Sequence, residues 1–112
     1  MKHMNWAELL PLTLTVCDTK GGVLYMNPEA IQTFKKDGGS RLIGTNLLDC
    51  HPEPSKTKVK EQLDTAQGQT YITDKKGVQK LIHQTPWFEN DVFKGMMEII
   101  IPLPEDLEIR KR

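Results

Sequence analysis

Asp18–Ala30 reads DTKGGVLYMNPEA, and the fold can be worked out from this stretch in both directions. Gly21-Gly22 predicts a tight hairpin, because glycine supplies the positive φ that such turns require. Upstream, Leu12, Leu14 and Val16 alternate with Thr13, Thr15 and Cys17, the period of a strand with one buried face. Asp18 closes that strand, and Val23 to Met26 is its partner. Asn27 before Pro28 joins a capping side chain to a proline at the first helical position, so a helix starts there. It carries Ala30, Ile31 and Phe34 on one face and stops at Asp37-Gly38-Gly39.

Working outward, Asn5 is predicted to cap a short helix over Trp6 to Leu10, with Glu8 as the reciprocal partner of a capping box. Pro11 ends it. Leu42 to Asp49 reads as short helical turns. The prolines of Cys50-His51-Pro52-Glu53-Pro54-Ser55 keep that run out of any helix interior. From Ser55 to Gln67 the pattern is an amphipathic helix, with Val59, Leu63 and Ala66 on one stripe, lysines and acids around it, and Gly68 as its stop. Three strand-like runs follow: Thr70 to Asp74, Val78 to Thr85, and Val92 to Ile101. Their short polar joints, Lys75-Lys76-Gly77 and Glu89-Asn90-Asp91, favour antiparallel hairpins. Two strands, several helices and three strands make an α+β domain, with helices gathered on one face of an antiparallel sheet. The expected organisation is a cap helix over 1–11, the domain over 12–104, and a polar tail over 105–112.

The 112 residues make room for one domain with one core. Fifteen basic and fifteen acidic residues cancel, which argues against a nucleic-acid footprint. No apolar run is long enough for a signal peptide or a membrane span, so the expected setting is cytoplasmic with no membrane contact. Cys17 and Cys50 lack the spacing of a disulfide framework or a zinc site, and reduced thiols are expected. Gly21-Gly22 and Gly38-Gly39 lack the context of a phosphate loop, and no serine or cysteine has a base partner in a recognisable motif. No catalytic residue and no enzymatic activity are expected.

Val16 to Ala30, with its apolar strand, Asp, glycine turn, apolar-x-aromatic-x-Asn segment and small residue in the first helix, resembles the opening of a PAS domain. Leu42-Ile43-Gly44-Thr45-Asn46-Leu47-Leu48-Asp49 is similar to the family's L-I-G-x-x-L-x-D segment. Thr85-Pro86-Trp87-Phe88 and Phe93-Lys94-Gly95 are similar to its last hairpin. The resemblance runs from about Leu9 to Ile101. It implies a five-stranded antiparallel sheet curled around helices, a small-molecule pocket between them in many members, frequent homodimers, and a sensing or signalling role without catalysis.

On this reading the ligand-binding candidates are Tyr25, Cys50, His51, Val59, Leu63, Ile82, Met97 and Ile99. Cys50-His51 stands out because thiolate and imidazole are both axial ligands for haem iron. In haem-binding members a histidine of the long helix ligates iron, whereas His51 precedes that helix and is followed by Pro52. In flavin-binding light sensors of the family the reactive cysteine comes three positions after the glycine matched by Gly44. That position is Leu47 here, and Cys50 lies three further on. The leading expectation is therefore no cofactor, with haem through His51 or Cys50 and flavin as alternatives. His83 is placed on the outer sheet face, and His3 in a disordered terminus. In the last strand, uncharged Phe93, Gly95, Met97, Ile99 and Ile101 are assigned inward, and Val92, Lys94, Met96, Glu98 and Ile100 outward. An outer face carrying Val92, Met96 and Ile100 is too apolar to stay free, which points to a homodimer. The functional expectation is a dimeric sensory module relaying a small-molecule signal to a partner protein. The alternatives are a ligand-free interaction module and a haem sensor.

Overall fold

The computed structural model describes residues 4–112, so His3 lies outside the described residues. The sheet is built around the expected hairpin. Strand β1 (Thr13–Asp18) turns through Asp18, whose Oδ1 accepts from the backbone amides of Lys20 at 2.9 Å and Gly22 at 2.8 Å. Of the two glycines only Gly21 takes a positive φ, +88°; at Gly22 a Cβ would instead meet the Asp18 carboxylate. Strand β2 (Val23–Met26) runs back antiparallel and ends at Asn27.

Asn27 is wholly buried and joins three elements. Its Oδ1 accepts from the amide of Ala30 at 2.9 Å, capping helix α2 (Pro28–Thr33), and from the amide of Leu14 in β1 at 3.0 Å. Its Nδ2 donates to the carbonyls of Leu12 at 2.8 Å and Ala7 at 3.1 Å, which ties down the N-terminal helix α1 (Trp6–Leu9). Every polar site of a buried amide is thus used, the condition under which burying one is tolerated. The expected capping box at Asn5 does not form. Asn5 makes no side-chain cap, and Glu8 accepts a hydrogen bond from the Tyr25 hydroxyl instead.

Two short 3-10 turns (Lys35–Asp37 and Gly39–Leu42) lead to α3 (Leu47–Cys50) and α4 (Ser55–Thr65). Asn46 caps α3 through the Leu48 amide and donates to the Lys20 carbonyl, so α3 is anchored to the hairpin turn. Helix α4 ends at Ala66 in the left-handed conformation, before the expected stop at Gly68. Gly68 serves a different purpose: a Cβ there would lie 1.9 Å from the Gln84 carbonyl oxygen, so the chain passes too close to the sheet for any side chain.

Strands β3 (Gln69–Lys75), β4 (Val78–Glu89) and β5 (Val92–Pro102) complete a five-stranded antiparallel sheet in the order β2-β1-β5-β4-β3. β4 runs through Pro86 because its pairing with β3 ends at Gln84, which leaves no ladder bond for the missing proline amide. The core lies between the sheet and the helices. Val23, Met26 and Ala30 pack with Ile31, Phe34 and Leu42, while Cys17, Leu63 and Met96 pack with Leu47, Val59 and Phe93. Each such side chain removed from water contributes about 1.5–3 kcal/mol.

The inner and outer faces of β5 differ from the sequence expectation. Phe93 pairs with Phe88 but Gly95 pairs with Trp87, so Lys94 is an extra residue and the strand bulges. Gly95 takes φ +146°, and a Cβ on it would lie 1.9 Å from the Cys17 carbonyl oxygen. That same oxygen accepts from Trp87 Nε1 at 3.1 Å. One extra residue reverses the alternation beyond it. Met96 and Ile100 are buried on the helix side with Glu98 between them, and Met97, Ile99 and Ile101 alternate onto the outer face.

Candidate functional site

A cavity of about 590 Å³ opens between the sheet and helices α3 and α4. Its walls are mainly apolar: Val23, Met26 and Leu47 at one end, Val59 and Leu63 from α4, and Ile82, Met96 and Ile100 from the sheet. Val59 and Leu63 reach it because they are one helical turn apart on α4. Ile82 and Ile100 reach it because they are paired across β4 and β5 and so share a face.

A polar strip crosses this apolar interior. Glu98 accepts at Oε2 from Gln84 Nε2 at 2.7 Å. Gln84 Oε1 in turn accepts from Gln62 Nε2 at 2.9 Å and Gln69 Nε2 at 3.0 Å, which links α4 and β3 to the centre of the sheet. Thr15, the cross-strand partner of Glu98, lines the cavity with a buried hydroxyl that has no hydrogen-bond partner among the described residues. Such an orphan costs about 1–3 kcal/mol unless something supplies a partner. Burial, with the Glu98 charge adding to it, pushes the Tyr71 hydroxyl pKa up. Burial also pushes the Cys17 thiol up, against a backbone hydrogen bond from Met96 and together with the charges of Asp18 and Glu98.

Three solved structures share this fold. The PAS domain of Bordetella pertussis BvgS superposes with a TM-score of 0.65 at 17% identity, over 89% of this chain and 82% of that one. A sensory box sensor histidine kinase from Vibrio cholerae gives 0.61 at 16% identity, over 85% and 84%. The Aer2 receptor of Vibrio cholerae, described as a dual PAS-heme oxygen sensor, gives 0.61 at 13% identity, over 83% and 95%. The chain has the PAS fold. No family model and no curated protein matches the sequence.

Within the PAS fold, the sequence candidates divide into two groups. Cys50, His51, Val59, Leu63 and Ile82 border the cavity, and Met97 touches it although its strand position alternates outward. Tyr25 and Ile99 do not reach it. Tyr25 pairs with Val16 on the other side of β2 and bonds Glu8, and Ile99 is displaced by the β5 bulge. Sequence reasoning misses Thr15, Gln62, Gln84 and Glu98. Gln62 and Gln84 sit on elements whose cavity side the pattern phases correctly, but a polar residue there reads as surface; Thr15 lies on the face of β1 opposite Leu14 and Val16, which the alternation reads as the buried one, and Glu98 is lost with the strand phase.

His51 Nδ1 lies 2.7 Å from the Leu47 carbonyl, which leaves Nε2 as the nitrogen open to a ligand. Cys50 is a free, exposed thiol at the cavity edge. The rest of the wall does not fit a haem or a flavin nucleotide. Propionates and phosphates call for cationic partners, yet no Lys or Arg lines the cavity among the described residues, while Asp37 and Glu98 do. No group of His, Cys, Asp and Glu among the described residues is arranged to hold a metal ion, and no described helix is long and apolar enough to cross a membrane.

Proposed function

We propose that this chain is the sensing module of a signalling system, binding a small molecule between its sheet and α4 and passing occupancy to a protein partner. The observation that carries this is the 590 Å³ cavity with apolar walls, a polar strip and an unpartnered Thr15 hydroxyl inside it. The role calls for binding and relay and for no catalytic group. Relay follows from strand alternation: Met96, Glu98 and Ile100 face the cavity, and Met97, Ile99 and Ile101 on the same strand face outward, so a shift on one face moves the other. A thermal-shift screen tests the reading. A small molecule should raise the Tm of the wild type and leave Val59→Trp, whose indole occupies the cavity, unmoved. If no compound from a broad library raises the wild-type Tm, the ligand reading is lost.

The outer face favours a second reading, a homodimer or protein-interaction surface, which coexists with the first. Ile72 is 55% exposed and lies opposite Leu81, which lies opposite Ile101. A connected apolar face of that kind on an antiparallel sheet is a contact surface.

A further inference from the structure

We infer that the ligand of this cavity is an organic cation: a small molecule with an apolar body and one protonated amine, held by Glu98 and Thr15. The inference rests on the cavity being a ligand site and specifies which chemistry it selects.

Charge is the first argument. Among the described residues the ionisable groups on the wall are the acids Asp37 and Glu98, the weakly acidic Cys17, Cys50 and Tyr71, and His51. The lysines of α4, Lys56, Lys58 and Lys60, are exposed and do not line it. Glu98 has no salt-bridge partner in the chain among the described residues. A carboxylate between Met96 and Ile100 in an apolar hollow is stabilised most by a cation that enters with the ligand.

Hydrogen-bonding capacity is the second argument. A carboxylate offers about four acceptor sites, and among the described residues Glu98 receives one side-chain bond, from Gln84. Gln84 cannot turn away to serve a ligand, because Gln62 and Gln69 already hold its oxygen and Glu98 its nitrogen. The amide chain therefore fixes the carboxylate in place with its remaining acceptor capacity free. Directly across the ladder, the Thr15 hydroxyl is buried and unpartnered. An ammonium group carries three N–H donors, so it can serve the free carboxylate sites and the Thr15 oxygen together. A neutral hydroxyl has one donor, and a carboxylate ligand has none and would meet Glu98 with like charge. The apolar walls from Val59, Leu63, Ile82 and Ile100 then receive the body of the molecule.

The test uses three probes of one shape and different charge, phenylbutylamine, phenylbutanol and phenylbutyrate, titrated calorimetrically into the wild type and into Glu98→Gln. The amine should bind at least about tenfold tighter than the alcohol, the scale of one charge-assisted bond. The anion should bind weakest, and Glu98→Gln should bring amine and alcohol together. If the alcohol or the anion binds as well as the amine, the cation assignment is overturned while the ligand site stands. If no probe binds at all, both fall. Should Glu98→Gln fail to fold, the ranking of the three probes on the wild type decides between these outcomes by itself.

Discussion

Replacing Asn27 with alanine removes the buried amide that joins α1, β1 and α2, and its cost can be worked from the bonds lost. Losing the α2 cap costs about 1 kcal/mol. The Leu14 amide, stranded in a buried strand, adds about 1–2 kcal/mol. The carbonyls of Leu12 and Ala7 lose their donor, which adds about another 1 kcal/mol. The total is about 3–4 kcal/mol, a large part of the ~5–15 kcal/mol of an ordinary domain. Urea and thermal denaturation followed by circular dichroism should show it, with a Tm lower by roughly 15–20 °C. Thr33→Val, which removes only the contact with the Thr13 hydroxyl, serves as a control and should cost no more than about 1 kcal/mol. Asn27→Asp keeps the acceptor but turns a charge toward carbonyl oxygens. Burial raises the pKa of such a carboxyl, so this variant gains stability as pH falls, protonated in the fold before it is protonated unfolded. A loss below about 1 kcal/mol for Asn27→Ala would refute the idea that this amide holds the three elements together.

Other expectations follow from single contacts. Gly95→Ala should cost more than about 3 kcal/mol or abolish folding, because its Cβ would collide with the Cys17 carbonyl at 1.9 Å; a near-neutral result in thermal melts would contradict the bulge. The Tyr25 phenol, pushed up to about 12 by its hydrogen bond to Glu8, contributes stability that is complete below pH ~10 and is lost as pH rises toward 12. Ultraviolet titration should show that phenol returning toward its ordinary value in Glu8→Gln. Cys50 should react with a thiol reagent in the native protein while Cys17, buried and raised in pKa, reacts only on unfolding; two fast thiols would contradict the packing. Sedimentation of Leu81→Lys against wild type tests the outer face, since loss of a dimer is expected and an unchanged mass would argue against that surface.

The hairpin, the Asn-Pro helix start and the cavity side of α4 are legible in the sequence because each depends on residues within a turn or two of one another. Asp18 and Asn27 stand out as structural residues on that basis, although the reach of Asn27 to Ala7 and Leu12 depends on tertiary placement. The face of β5 is not legible, because a period of two presumes a regular strand. Phe93-Lys94-Gly95 holds the extra residue, and the glycine is a signal for it, since glycine inside a strand pattern often marks a bulge. With the phase reversed, Met96 and Ile100 fall outside and Glu98 reads as a surface acid. The capping box at Asn5 fails for a related reason: Glu8 finds a tertiary partner in Tyr25 that outcompetes the local one.

The central claim, that the space between sheet and α4 is where a small molecule binds, is tested most directly by methyl chemical shifts on titration with phenylbutylamine. The cavity residues Val59, Leu63, Ile82 and Ile100 should shift and saturate together, while Ile72, Val78 and Val92 on the exposed surface stay where they are. Shifts confined to those exposed methyls, or none anywhere with this amine, phenylbutanol and phenylbutyrate alike, would contradict the claim.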